Sequence, residues 1–483
     1  MRKYGYLLLC SGLAWVLNGF LLQINTLWTD IVCFALAACW LITVFYQKKE
    51  NKQISLNLLL IFSFILAYIF VLKLPYDFGM HDLGGYAIDS DGHLGYITWI
   101  TENLRLPDTH PLVDGQSIYV HPPLFHILEA LFFRINRLIG FNWWQSFELG
   151  QLINMTFSVA CTFITCDLLA KLNISEKGMQ LAAKFLMFQP IILILGSVLN
   201  NDILSVFCLL LCLLFTVYWI KEQTMRSILT LALSLGAGMA TKLSSALIIP
   251  CVALVFIVTF FQNISCWKKY TVQFSLFLLV SVPLATAWPL YQLIAHDLPL
   301  NFVRIPVKEL SVADHSLWER FGIPDLSLLK HLFYYHNPKF DFNIWLSILK
   351  TGSFDELELF FAGTTMWYIS YFMMIIWGLM MLSAAILFIR WVSKSRSDRL
   401  IVCFFAGYCL LLIGYFFKFY IDYPYVCTPN LRYIVPILSL GAIGIGFYAD
   451  TVPKSAWLHR LVNLWGLLVC IVYGSYFFTN GIF

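Results

Sequence analysis

Three aspartates and three histidines stand close together in the chain: His81, Asp82, Asp89, Asp91, His93 and His121. A carboxylate within hydrogen-bond reach of a hydroxyl can take its proton as the oxygen attacks an electrophile. A neighbouring imidazole can hold a substrate hydroxyl or a phosphate, or orient the carboxylate. Two cations farther along add a second chemistry. Lys242 sits between two apolar blocks, where an ammonium is costly to bury without an anionic partner, and a lipid phosphate would be such a partner. Arg432 opens another apolar block and offers a bidentate fork for an anion. Asp202, after Asn201, precedes a further one. Each has a plainer reading. "GGYAIDSDG" is rich in turn formers, so its aspartates suit Asx-turns. Histidines cap helices, lysines and arginines snorkel to a membrane surface, and Asp202 suits a helix start.

The elements that must position these residues are membrane spans. Of 483 residues, 60% are hydrophobic and 12% charged, and blocks such as "DILSVFCLLLCLLFTVYWI" approach the roughly 20 apolar residues needed to cross a bilayer. The expected fold is an all-α polytopic membrane protein with about 13 transmembrane helices, near 6–22, 31–46, 55–72, 149–170, 180–198, 203–220, 227–241, 243–261, 271–293, 367–389, 400–417, 433–449 and 461–478. The N-terminal apolar run reads as an uncleaved first span, because a second run follows almost at once. With the N-terminus inside, short basic segments such as "QKKENKQ" and "RWVSKSRSDR" all fall inside. Two long loops, 74–147 and 294–365, then fall outside and hold nine of the ten histidines. That crowding of His, Asp, Tyr and Trp reads as a site.

Within the first loop, "GHLGYITWITENL" has the spacing of a short amphipathic helix. Pro122 and Pro123 suit the start of another, "LFHILEALFFRINRLIGF". Glu129, Arg134 and Arg137 are too many charges for an isolated span, so this helix is expected along the outer membrane surface. His126 lies five residues from His121, not a same-face helical spacing, and is left out of the site. The 13 cysteines include no CxxC and read as small core residues. No basic stripe stands apart from the loop charges, so no nucleic-acid partner is expected.

"HDLG" at 81–84, "GHLGYI" at 92–97 and "YVHPPL" at 119–124, followed by "LNND", "ATKLSSALIIP" and "NLRYIVPIL", resemble the GT-C membrane glycosyltransferases of the family 39 type. Protein O-mannosyltransferases and lipid A aminoarabinose transferases have similar loops. The resemblance implies one GT-C-like transmembrane domain over 1–483, with two extra N-terminal spans in 1–50. It implies a catalytic outer loop at 74–147 and a second outer loop at 294–365. It also implies transfer of a sugar from a polyprenyl-phosphate carrier to a protein, lipid or glycan acceptor outside a bacterial plasma membrane, with inversion expected.

The family's Asp-Glu pair is absent. Asp82 is then the first candidate for the base, because it sits in the matching "HD" about ten residues beyond a span end; Asp91 is second and Asp89 third. His81, His93, Tyr96, His121, Lys242, Arg432 and Asp202 are the substrate-binding candidates. No metal site is assigned. The scattered His81, Asp82, His93 and His121 nevertheless leave a divalent cation open as a cofactor. Two other classes compete: a transporter or lipid flippase using intramembrane charges such as Asp167 and Lys184, and a non-catalytic scaffold that has lost the base.

Overall fold

The computed structural model describes residues 2–21, 55–76, 92–107, 121–300, 308–332, 337–354, 365–395, 398–451 and 456–479. Among them there is no β-strand; one isolated bridge joins Ser311 to Tyr425. The first part holds α1 (Arg2–Leu21), α2 (Leu56–Lys73), α3 (His93–Asn103), α4 (Leu124–Ile139), α5 (Trp143–Lys171), α6 (Glu176–Met187), α7 (Pro190–Leu195) and α8 (Asp202–Glu222). Then come α9 (Met225–Thr241), α10 (Ile249–Gln262), α11 (Trp267–His296), α12 (Leu317–Phe321), α13 (Ile344–Phe354), α14 (Thr365–Lys394), α15 (Arg399–Asp422), α16 (Ile437–Thr451) and α17 (Ala456–Thr479).

Among the described residues, eight helical segments are long and apolar enough to cross a membrane, and α9 and α16 are shorter apolar helices. The protein is therefore an all-α polytopic membrane protein. The span expected at 31–46 lies outside the described residues. The span expected at 180–198 is two helices, α6 and α7, broken at Phe188–Gln189. Pro190 forces the break, since its ring and missing N–H do not fit a continuous ladder.

Helix α5 is the central post. Its start is set by a reciprocal cap: Asn142 accepts from Gln145 N, and the Gln145 side chain accepts from Asn142 N. It packs against α1, α2, α6 and α8, and α9 packs between α8 and α11. Large apolar side chains of α10, α11 and α14 point away from the bundle, including Leu254, Phe261, Leu279 and Ile389. Hydrocarbon is the solvent such a surface fits.

The two amphipathic helices expected in the first loop are present. Helix α3 ends at Leu104, in the left-handed conformation. Helix α4 begins just after Pro123 and ends at Gly140, whose φ of 107° suits a residue without a side chain. One face of α4 buries Phe125, Ala130 and Phe133 with Tyr96, Ile97, Phe147, Leu199 and Leu204 in a second apolar cluster. The opposite face exposes Leu131, Ile135 and Leu138. Arg134 donates to the Thr101 carbonyl and Arg137 to that of Phe141.

Candidate active site

Two groups of polar side chains gather at the end of the bundle that carries α3 and α4. The first is built on the turn between α7 and α8 and on the break between α9 and α10. Asp202 is the first residue of α8, and Lys242 follows the last residue of α9. Their side chains form an ion pair, and both are largely buried. The Lys242 Nζ also lies 4.9 Å from the Tyr433 ring centroid. The Arg432 guanidinium stacks over the same ring at 5.1 Å, and its Nη2 donates to the Tyr433 hydroxyl over 3.3 Å. Asn430 accepts from Arg432 N and fixes the turn that delivers the guanidinium. Three candidates far apart in sequence thus meet: Lys242, Asp202 and Arg432.

The turn holding Asp202 is fastened to the start of the first loop. Gln151 of α5 donates to the Leu74 carbonyl at 2.7 Å and to that of Ser197 at 2.6 Å. Asn154, one turn later, donates to the carbonyls of Val198 and Asn200. Leu199 N donates to the Tyr76 carbonyl, and Asn200 caps Asp202 N. Tyr76, the last described residue before the aspartate stretch, is therefore held against the turn that carries Asp202. Asp82, Asp89, Asp91 and His81 lie outside the described residues.

The second group is histidine-rich. His93, at the start of α3, has Nδ1 2.9 Å from Nε2 of His126 on α4. The His121 ring stacks on that of His93, with centroids 5.6 Å apart. Tyr96, one turn along α3, is fully buried with its ring 4.1 Å from that of His126. Tyr96 therefore serves as the wall behind His126. Burial and the neighbouring imidazoles His93 and His121 hold His126 well below the usual histidine pKa, so it is neutral.

Sequence reasoning missed His126 and Glu129. His121 precedes α4, so helical spacing never applied between it and His126. The informative spacing was His126, Glu129, Phe133 and Asn136, which recur on one face of α4 and are all buried. Neither carboxyl oxygen of Glu129 has a hydrogen-bond partner, and one lies close to Gly150. Burial raises its pKa well above the ordinary glutamate value, which favours the protonated acid. Among the described residues no group of three His, Cys, Asp or Glu side chains could hold a metal ion.

Residues 120–288 match the family described as dolichyl-phosphate-mannose-protein mannosyltransferase. The match covers 169 of the 483 residues and is a likeness of that part of the chain. The matched segment holds His121, His126, Glu129, Asp202 and Lys242. His93 and Tyr433, outside it, touch it through His126 and Lys242. No curated protein matches the chain.

Proposed function

We propose that the protein is a GT-C-type glycosyltransferase that moves a sugar from a polyprenyl-phosphate carrier to an acceptor hydroxyl on the extracytoplasmic side, with inversion at the sugar carbon. The observation that carries this reading is the convergence of Lys242, Asp202 and Arg432 beside the point where the aspartate-bearing loop departs. Two cations, Lys242 and Arg432, lie together with the Asp202 carboxylate there. A lysine ammonium has three donors, so Lys242 can keep Asp202 and still take a phosphate oxygen.

The reaction needs three contributions. A loop carboxylate, Asp82 first, then Asp91, then Asp89, takes the acceptor proton as the acceptor oxygen bonds to the sugar carbon. The bond from that carbon to the phosphate oxygen breaks through an oxocarbenium-like state, in which nearby negative charge is favourable. Lys242 and Arg432 receive the charge that develops on the departing polyprenyl phosphate. His93 and His121, with His81, are assigned to sugar or phosphate hydroxyls, and Tyr96 supports them from behind. The acceptor is a protein, a lipid or a glycan.

A transport reading would use Asp167 as a mobile charge. Asp167 instead pairs with Lys3 and accepts from the Tyr4 hydroxyl at 2.6 Å. The test is transfer in reconstituted membranes from radiolabelled polyprenyl-phosphate hexoses to a crude acceptor extract, with Asp82→Asn, Asp91→Asn and Asp89→Asn alongside. Label leaving the lipid with wild type but not with one aspartate variant supports the reading and names the base. If all three variants keep full activity, the base assignment falls. Movement of lipid or solute with no turnover of any donor would replace transfer by transport.

A further inference from the structure

Helix α12 and the turn after it hold large apolar side chains out of the fold. Trp318 is 75% exposed and Ile323 88%, and Leu317 and Leu326 in the same stretch are exposed as well. The backbone beneath them is pinned. Ser316 accepts from Glu319 N, while the Glu319 carboxylate accepts from Ser316 N. The Asn343 side chain donates to the carbonyls of Glu319 and Gly322, and the Trp345 indole donates to that of Phe321. Apolar side chains set out on a fixed support mark a surface that meets a partner or a membrane.

The place of this surface selects the membrane. Phe321 stacks on Phe417 with ring centroids 5.7 Å apart, and lies 5.3 Å from the Tyr420 ring. Both partners stand in the last two turns of α15, a helix long and apolar enough to cross a bilayer. Phe417 falls in one helical stripe with Leu410 and Ile421, whose side chains are exposed. On a spanning helix such a stripe faces lipid, and α12 sits where the stripe ends. The exposed Lys418–Asp422 pair marks water at that end. With a rise of about 1.5 Å per residue, Phe417 lies roughly 8 Å from the end of α15 at Asp422, close to the thickness of a headgroup layer. Tryptophan is enriched at that depth, where one edge of its ring is apolar and the other wet.

Arg320, on α12, adds a charge to this apolar surface. It is 4% exposed, and its guanidinium lies 4.8 Å from the Tyr420 ring centroid. Its Nε has no hydrogen-bond partner. The carboxylates of the same segment are engaged elsewhere: Glu319 by Ser316, Asp325 by Ser327 N and Asp341 by Lys350. A guanidinium stacked on a ring keeps its N–H fork in one plane, the geometry that takes a phosphate through two parallel bonds. We propose that residues 317–326 are a seat in the lipid leaflet at this end of the bundle, with Leu317, Trp318, Ile323 and Leu326 among the lipids and Arg320 on the phosphate of a bilayer phospholipid. The seat does not depend on the transfer reading above. It is tied to the Arg432 turn all the same, since Asn343 leads into α13 and Thr351 of α13 accepts from Leu431 N.

The experiment places a photo-crosslinking side chain at position 318 or 323 of the full chain, in nanodiscs of phosphatidylethanolamine and phosphatidylglycerol. Mass spectrometry of the irradiated protein is expected to find phospholipid joined at both positions. Absence of lipid adducts at both, or adducts to protein alone, would overturn the seat. The phosphate contact is read at position 323 in detergent, with phosphatidylglycerol added in steps. Arg320→Gln is expected to raise the lipid concentration for half-maximal adduct about 10- to 100-fold, and Arg320→Lys less, because it keeps the charge and loses the fork. Equal yields in wild type and Arg320→Gln would overturn the phosphate contact. Loss of the phospholipid adduct to an equimolar polyprenyl phosphate would overturn it too, by giving the site to the sugar carrier. If Arg320→Gln does not fold, the adducts formed with Arg320 in place and the competition still decide.

Discussion

Lys242 and Asp202 pair although 40 residues separate them, because α8 and α9 run side by side and place the start of one next to the end of the other. The pair is largely buried, so removing one partner takes a close opposite charge from the other. Lys242→Gln is expected to cost roughly 3–5 kcal/mol of stability, and Asp202→Asn a similar amount. The double variant should recover much of that loss and still bind donor poorly, because the phosphate contact goes with the lysine. Thermal unfolding and donor binding, measured on all four proteins of the cycle, check this. A double variant with normal donor affinity would confine Lys242 to a structural role.

Glu129 carries a pH signature. Its pKa in the fold is raised, so above the usual glutamate value of 4.5 the folded state holds a proton that the unfolded state has lost. That contribution to stability falls as pH rises, by about 1.4 kcal/mol per unit, until Glu129 itself ionises. His126 works the other way: its depressed pKa means that stability is lost as pH falls below 6.5. Glu129→Gln should remove the first slope. Melting temperatures from about pH 5 to about pH 8 should therefore show the variant gaining on wild type as pH rises. Parallel curves would mean that Glu129 is ionised in the fold.

Much of this was legible in the sequence. Lys242, Arg432 and Asp202 stood out because charges beside apolar blocks need partners, and the fold gives Lys242 one in Asp202. The helices at 93–103 and 124–139 followed from their spacing and prolines. What could not be read was the inward turn of α4. Glu129, read with Arg134 and Arg137 as marking a surface helix, is fully buried, while both arginines reach backbone carbonyls near the ends of α3 and α4. A helix with polar residues on two faces does not say which face is covered; here α3 and α5 cover it. The break before Pro190 was likewise hidden inside an unbroken apolar run.

Gly150 lies where α5 packs tightly against α4. A Cβ there would lie 2.6 Å from Phe133, 3.0 Å from a carboxyl oxygen of Glu129 and 3.1 Å from Leu199. Gly150→Ala is thus expected to destabilise by roughly 1–3 kcal/mol through overpacking. It should also lift α4, and so disturb the His93–His126 contact. Pairing it with Phe133→Leu should relieve the crowding. If Gly150→Ala melts like wild type, the helices have more room to separate than this packing implies.

The last prediction concerns the joint between scaffold and loop. One amide group, that of Gln151, holds both the Leu74 carbonyl at the start of the first loop and the Ser197 carbonyl before the Asp202 turn. Gln151→Leu keeps a side chain of similar bulk and removes both bonds. Each stranded buried carbonyl should cost roughly 1–3 kcal/mol. The larger effect should fall on catalysis, because the aspartate-bearing loop and the Lys242–Asp202 pair would no longer share a fixed support. A displacement of about 1 Å between reacting groups can cost on the order of 100-fold in rate. Sugar transfer is therefore expected to drop far more at saturating donor than donor affinity does. If rate and affinity instead fall together, in step with a lower melting temperature, Gln151 supports the bundle as a whole and not the register between loop and phosphate site.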